Sequence, residues 1–314
     1  MVEKIEKQED LIRKMDWDYL IILDACRYDY FEKVYKKHIK EGKLRKVLSS
    51  GSSTEEWLNK TFRNKIDALY ISGNPHINSK GLLKEKFDAR KYFTEIIDAW
   101  KIAWDDKLDT VHPKDINSIV KENISKKQKI IIHYMQPHAP FIPMKEKRCK
   151  KNISNILGYI LKKLLPKEIK AKLIFGKRNK YTKMIWSIYQ KLNLGITLKH
   201  LLDYERESIS KYYQENLEFV LKYVKEIVEF IPSGRIVITA DHGELLGEDR
   251  KYGHPGNFRH PKLLEVPWLE IDKGRKETGE EFEGEEKGEE EEKEYSEKDE
   301  EIIKERLRAL GYLE

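Results

Sequence analysis

Residues Ile236 to His254 read IVITADHGELLGEDRKYGH. The first four, Ile236-Val237-Ile238-Thr239, are apolar and β-branched, and Ser233-Gly234 punctuates their start. That pattern predicts a short buried strand. The strand runs out at Ala240 and delivers Asp241, His242 and Gly243 to its C-terminal edge, where ligands of α/β sheets collect. A carboxylate beside an imidazole, with a second imidazole at His254, offers mixed oxygen and nitrogen ligands. Such a set suits Zn or Mn, with Ca or Mg as further candidates. Asp241 and His242 have a second use open to them, as caps that bond the backbone of a loop.

Working outward, the same design recurs. Tyr19-Leu-Ile-Ile-Leu23 is a continuous apolar run that stops at Asp24. Such a run suits a parallel sheet covered on both faces. Asp24-Ala-Cys-Arg27-Tyr-Asp29 then turns into a helix reaching about Lys40. Val47 to Thr54 reads as a strand followed by a turn of clustered hydroxyls, with a helix from Glu55. Ser53 and Glu56 make a capping-box pattern. A hydroxyl at a helix N-terminus also sits in positive partial charge, which stabilises an alkoxide or a bound anion. Ala68 to Ser72 and Lys129 to Met135 are further short strands, ending at Gly73-Asn-Pro-His-Ile77 and Gln136-Pro-His138-Ala-Pro140. Val266 to Leu269 is the last strand. With helices between the strands, the pattern predicts an α/β fold: a mainly parallel central sheet with helices on both faces.

Residues 1–15 read as a charged, peripheral helix. The stretch after Ile77, with Trp100 and Trp104, reads as mixed helical. Lys145 to His200 is basic and amphipathic, a helical insertion over the sheet edge. Asp203 to Phe230 carries Leu217, Val220, Leu221, Val224 and Val228 at helical spacing, a core stripe. An acidic, low-complexity linker over 274–301 cannot bury enough apolar surface to fold. A short C-terminal helix, 302–314, has Ile303, Leu307 and Leu310 on one face. The expected division is a catalytic domain over 1–273 with the 145–200 insertion, then the linker and the final helix.

The chain's 314 residues carry a formal charge of +6. Lys276 to Glu301 holds 4 basic and 15 acidic residues; removing its −11 leaves +17 on the remainder. A basic body favours anionic partners: phosphate or sulfate esters, or an anionic lipid surface that would give peripheral membrane contact. The basic residues are not interleaved with a base-reading motif, so nucleic acid is not expected. Two cysteines, Cys26 and Cys149, make neither a disulfide framework nor a metal finger, which points to a reducing compartment. No run approaches the ~18 apolar residues of a membrane span, and no signal core is seen. The expected location is the cytoplasm, including the inner membrane surface.

Four elements, in this order, resemble the sulfatase-like branch of the alkaline phosphatase superfamily. They are Asp24-Ala-Cys-Arg27-Tyr-Asp29, Ser52-Ser53-Thr54, His133-Tyr-Met-Gln-Pro-His138-Ala-Pro-Phe, and Asp241-His242-Gly243-Glu244 followed by Tyr252-Gly253-His254 and Val266-Pro267. The resemblance implies Asp24, Asp241 and His242 as metal ligands, completed by a nucleophilic hydroxyl, Thr54 or alternatively Ser53. It implies His254 as a ligand of a second metal or of the substrate oxyanion, and His138 as a contact to the transferred group. Arg27 is a substrate-binding candidate or a structural residue of its turn. The Cys-x-Pro-x-Arg pattern that sulfatases oxidise to formylglycine is absent at 52–58, which reads SSTEEWL. A plain hydroxyl nucleophile fits phosphate esters better than sulfates. The resemblance therefore implies a metal-dependent hydrolase or transferase of phosphate esters. A sulfatase, and a non-catalytic binder of anionic glycans or lipids, are the alternatives.

Overall fold

The centre of the fold is built from the isoleucine-rich runs. The computed structural model describes residues 5–81, 87–125, 129–144, 207–274 and 297–310. The chain begins with α1 (Gln8–Lys14), β1 (Tyr19–Leu23), α2 (Tyr28–Val34), β2 (Lys43–Leu48), α3 (Thr54–Thr61) and β3 (Ile66–Ser72). Next come β4 (Phe93–Ile97), α4 (Ala99–Ile102), β5 (Trp104–Asp105), β6 (Thr110–Val111), α5 (Pro113–Asn123) and β7 (Lys129–Tyr134). After α6 (Glu207–Phe230) follow β8 (Arg235–Thr239), β9 (Leu245–Leu246), β10 (Tyr252–Gly253), α7 (Pro261–Leu264), β11 (Glu265–Asp272) and α8 (Glu297–Ala309).

Seven strands form one sheet in the order β2-β11-β8-β1-β7-β3-β4. Strand β11 pairs antiparallel with β2 and β8, while the pairs among β8, β1, β7, β3 and β4 are parallel. Strands β1, β7 and β8 are buried at every position after the first, as expected for a sheet covered on both faces. Helices α4 and α5 pack on β3, α5 also on β7, and α2 on β11. The fold is the expected mainly parallel α/β sheet.

The chain forms two compact units, Met1–Phe141 with Asn216–Glu314, and Ile142–Glu215. The sheet and every residue discussed below lie in the first unit. Of the second, residues 142–144 and 207–215 are described. The insertion expected over 145–200 and most of the acidic linker lie outside the described residues.

Local differences from the sequence reading have physical causes. Strand β2 lies earlier than expected, over Lys43–Leu48, because it is an edge strand whose Lys and Arg side chains stay at least partly exposed. The stretch expected to be mixed helical holds an edge strand, β4, and the β5–β6 hairpin besides α4 and α5. Helix α8 starts at Glu297, inside the expected linker, and Glu300 pairs with Lys304 one turn on. Its Ile303 and Leu307 join the core, and Arg306 lies over the Trp104 ring.

The largest correction concerns α1, which is not peripheral. Gln8 is fully buried. Its amide donates to Thr239 Oγ1 and to the Ala240 carbonyl, both at 2.6 Å, and its carbonyl accepts the Trp57 indole N–H at 2.8 Å.

Candidate metal centre

The strand register sets the site. Ile22 of β1 lies opposite Thr239 of β8, so Asp24 and Asp241 leave neighbouring strand ends at the same level. The Ala25 amide donates to Asp241 Oδ1 at 3.1 Å and fastens the two ends together. On the other side of β1, the chain after β7 folds back so that the His138 amide donates to the Asp24 carbonyl at 3.1 Å. Asn216 of α6 donates to the Pro137 and His138 carbonyls and pins that loop.

The turn after β2 brings the hydroxyls in from two strands away. Ser49 donates to the Asp241 carbonyl, and its Oγ also lies 3.0 Å from the Gly51 carbonyl. Ser53 is the N-cap of α3, its Oγ accepting the Glu56 amide. The Glu56 carboxylate reaches back to Ser52 and across to the Asn257 amide. Thr54 is the first helical residue, fully buried, and turns inward. Its hydroxyl lies 2.7 Å from Asp241 Oδ2 and 3.3 Å from His242 Nε2.

Two groups of metal-ligating side chains result. Asp24, Asp241 and His242 form one, and His138, Glu244 and His254 the other; within each, one ligand atom per residue lies within 4.8 Å of the others. The His242 and His254 rings are 4.4 Å apart, and those of His138 and His254 4.9 Å. Nδ1 of His242 faces the Gly243 carbonyl at 2.8 Å. A proton on Nδ1 satisfies that contact and turns the Nε2 lone pair toward Thr54 and Asp241, the usual orientation of a ligating histidine. Nδ1 of His138 faces the Ala139 carbonyl in the same way.

The electrostatics fit a cation. Burial and the neighbouring Asp241 charge push the Asp24 carboxyl up to about 7. Two carboxylates held this close in a dry site favour either a proton or a metal ion between them. Burial, with the charge of His254 behind it, holds His242 well below the usual imidazole range, in the neutral form that ligates. In the second group burial opposes charge on both partners and loses. Burial lowers His254, but the Glu244 charge and the 3.1 Å contact raise it overall; Glu244 is correspondingly held low.

Three residues belong here that the sequence reading did not assign. Glu244 stands two residues past His242, a carboxylate visible in the motif. Asn74, in the loop after β3, donates to Asp24 Oδ2 at 2.7 Å and lies 3.5 Å from Thr54 Oγ1; nothing local in the sequence marked it. His76 lines a cavity of about 870 Å³ beside the centre, with Ser53, Glu55, Asn59, Lys251 and His254. Arg27 joins neither ligand group but touches the second, its Nη1 donating to the Glu244 carbonyl at 3.2 Å. It is 3% exposed, forked by Asp29 at 2.8–3.0 Å and paired with Glu248 at 2.7 Å.

The mainly parallel sheet with its covering helices is the fold of alkaline-phosphatase-like domains, and a solved structure shares it. The soluble domain of lipooligosaccharide phosphoethanolamine transferase A from Neisseria meningitidis superposes with a TM-score of 0.50 at 12% identity, covering 81% of this chain and 75% of that one. The Zn complex of the C-terminal periplasmic domain of EcEptC from Escherichia coli gives 0.45 at 11%, covering 81% and 72%. Phosphonate monoester hydrolase SpPMH from Silicibacter pomeroyi gives 0.39 at 14%, covering 82% and 68%. No family model and no curated protein matches the sequence. The resemblance to the alkaline phosphatase superfamily thus holds at the level of the fold.

These structures correct one expectation. The cytoplasmic location, with its inner-surface variant, does not stand, because the similar structures include periplasmic domains. It had rested on missing signals and unpaired cysteines. Among the described residues, no helix is long and apolar enough to cross a membrane.

Proposed function

We propose that this chain is a metal-dependent hydrolase or transferase of phosphate esters with Thr54 as nucleophile. The observation that carries the reading is the place of the Thr54 hydroxyl: buried at the start of α3, 2.7 Å from Asp241 Oδ2 and 3.3 Å from His242 Nε2. Asp24, Asp241, His242 and Thr54 would hold the ion, and two carboxylates with one imidazole suit Zn or Mn. His138, Glu244 and His254 would hold a second ion or the substrate's oxygens. A bound divalent ion supplies charge neutralisation and lowers the pKa of an oxygen ligand, for water from 15.7 to about 7.

The chain's own groups do the rest. The Thr54 hydroxyl directs its proton at Asp241 Oδ2. Attack of Thr54 Oγ1 on phosphorus forms one P–O bond and breaks the bond to the leaving oxygen, which takes a proton from His254 or His138. Water or an acceptor hydroxyl then attacks the phospho-threonine. Its proton returns to the imidazole, and Thr54 recovers its own. The substrate is an anionic ester whose alcohol part occupies the 870 Å³ cavity. The domain division, a catalytic domain over 1–273 followed by the acidic linker and a C-terminal helix that begins at Glu297, is part of this proposal.

The test is a panel of phosphate and sulfate esters offered to the metal-stripped, Zn-loaded and Mn-loaded chain. Thr54→Ala should cost roughly 10³-fold in turnover, Ser53→Ala should retain most of it, and acid quenching should trap phospho-threonine at Thr54. The opposite pattern moves the nucleophile to Ser53. Turnover of sulfates alone would favour the sulfatase, and metal-independent anion binding without turnover would favour the binder.

A further inference from the structure

His133 is the buried imidazole of β7 to which the reaction above gives no part. Its Nδ1 lies 2.9 Å from the Tyr70 hydroxyl. Its Nε2 lies 3.5 Å from Asp24 Oδ2 and meets no acceptor in good hydrogen-bond geometry among the described residues. All three side chains are fully buried. The ring is also walled in by aromatics: Trp57 stands edge-on at 6.5 Å, and Tyr70 continues through Phe93 to Phe62.

Proton accounting selects one arrangement. If Nδ1 carried the proton, it would donate to Tyr70. The Tyr70 hydroxyl, with His133 as its hydrogen-bond partner among the described residues, would then lack an acceptor. The Nε2 lone pair would meanwhile face a carboxylate lone pair. Two buried groups would be unsatisfied, at about 1–3 kcal/mol each. If Tyr70 donates to Nδ1, the ring proton lies on Nε2 and points at Asp24. The Tyr70 donor is then satisfied, and a proton rather than a lone pair faces Asp24 Oδ2 at 3.5 Å.

We infer that His133, locked in its Nε2–H form by Tyr70, is a positioning residue that fixes which oxygen Asp24 offers to the metal. Oδ2 is held by the Asn74 amide at 2.7 Å and faced by His133 Nε2. Oδ1 is the oxygen 3.8 Å from His242 Nε2, on the side of the centre. A carboxylate bonded through one oxygen ligates through the other in a fixed direction, and such outer partners are worth about 10–100-fold in metal affinity. This inference rests on the metal-centre reading above.

Two measurements test it. In ¹⁵N-histidine-labelled protein, the nitrogen shifts of His133 should report the Nε2–H tautomer; an Nδ1–H tautomer overturns the inference. Zn titrations of the metal-stripped chain should show His133→Phe weakened about 10–100-fold. His133→Gln, whose amide nitrogen takes the place of Nε2, should recover most of the affinity, and Tyr70→Phe should fall between. If the wild type and Asp241→Ala bind alike, the metal-centre reading fails. If Asp241→Ala loses binding while His133→Phe keeps it, this inference alone fails. Should His133→Phe not fold, Tyr70→Phe decides, and unchanged affinity with an unchanged tautomer refutes the lock.

Discussion

Replacing Gln8 by methionine is the sharpest test of how the fold holds its site. Methionine has nearly the same length and no hydrogen-bonding group to match. Three bonds disappear: those to Thr239 Oγ1, the Ala240 carbonyl and the Trp57 indole. They are not equal. Thr239 keeps its donation to the Pro267 carbonyl at 2.7 Å, so its hydroxyl stays satisfied. The Ala240 carbonyl and the Trp57 N–H are left buried without this partner, at about 1–3 kcal/mol each. Burying a thioether in place of an amide returns a little, so the net cost is roughly 3 kcal/mol. In a chain this size that lowers Tm by about 5–8 °C. The assay is thermal unfolding of the metal-stripped protein, with Lys14→Met on the exposed face of the same helix as control. Zn affinity should fall as well, because Ala240 precedes Asp241 and Trp57 follows Thr54 by less than one helical turn. A Gln8→Met variant melting within about 2 °C of the parent would refute the reasoning.

Two further outcomes follow from the same coordinates. A Cβ at Gly243 would lie 2.0 Å from the Lys262 carbonyl oxygen, and the Gly243 amide already donates to Leu263. Gly243→Ala should therefore cost roughly 2–4 kcal/mol and weaken Zn binding, read by unfolding and titration; wild-type behaviour in both would show that the α7 backbone can retreat. The Asp29 carboxyl is pushed up by burial, but Arg27 and Lys262 outweigh that and hold it at about 2, below its ordinary 3.8. Its folded pKa is depressed, so its contribution is full above about pH 4 and is lost as pH falls toward 2. Because the side chain is 31% exposed, that contribution is about 1 kcal/mol. Asp29→Asn should be less stable than the parent at neutral pH by at least about that much, with the gap narrowing as pH falls from about 4 through 2; a gap independent of pH would contradict the ion-pair account.

The sheet was legible where burial is continuous. Runs such as Leu20–Leu23 and Ile236–Thr239 have no polar interruption, and that by itself implies cover on both faces. It was illegible at the edges, where Phe93-Thr-Glu-Ile-Ile97 is fully buried at its first residue alone and resembles a surface segment. The cap at Ser53 could be read because capping is local. Which neighbouring hydroxyl faces Asp241 could not, since that depends on a strand arriving from residue 235. Gln8 and Asn74 are the instructive omissions: polar residues whose burial is decided entirely by distant partners. The direction of β11 was hidden for a related reason, because a strand's pattern is the same read either way along the sheet.

The antiparallel placement of β11 has a consequence for the order in which the molecule can be made. Strand β2, which leads to Thr54, pairs within the sheet with β11 and, among the described residues, is bridged on its outer side between Lys7 and Leu48. Its place in the sheet is therefore held open until residues 265–272 have been synthesised. A ribosome-bound chain ending before Glu265 can pair β8, β1, β7, β3 and β4, yet the hydroxyl and the carboxylate of the centre have no strand to bring them together. The most sequence-distant pairing in the sheet thus secures the strand that leads to Thr54, and such pairings are the slow ones.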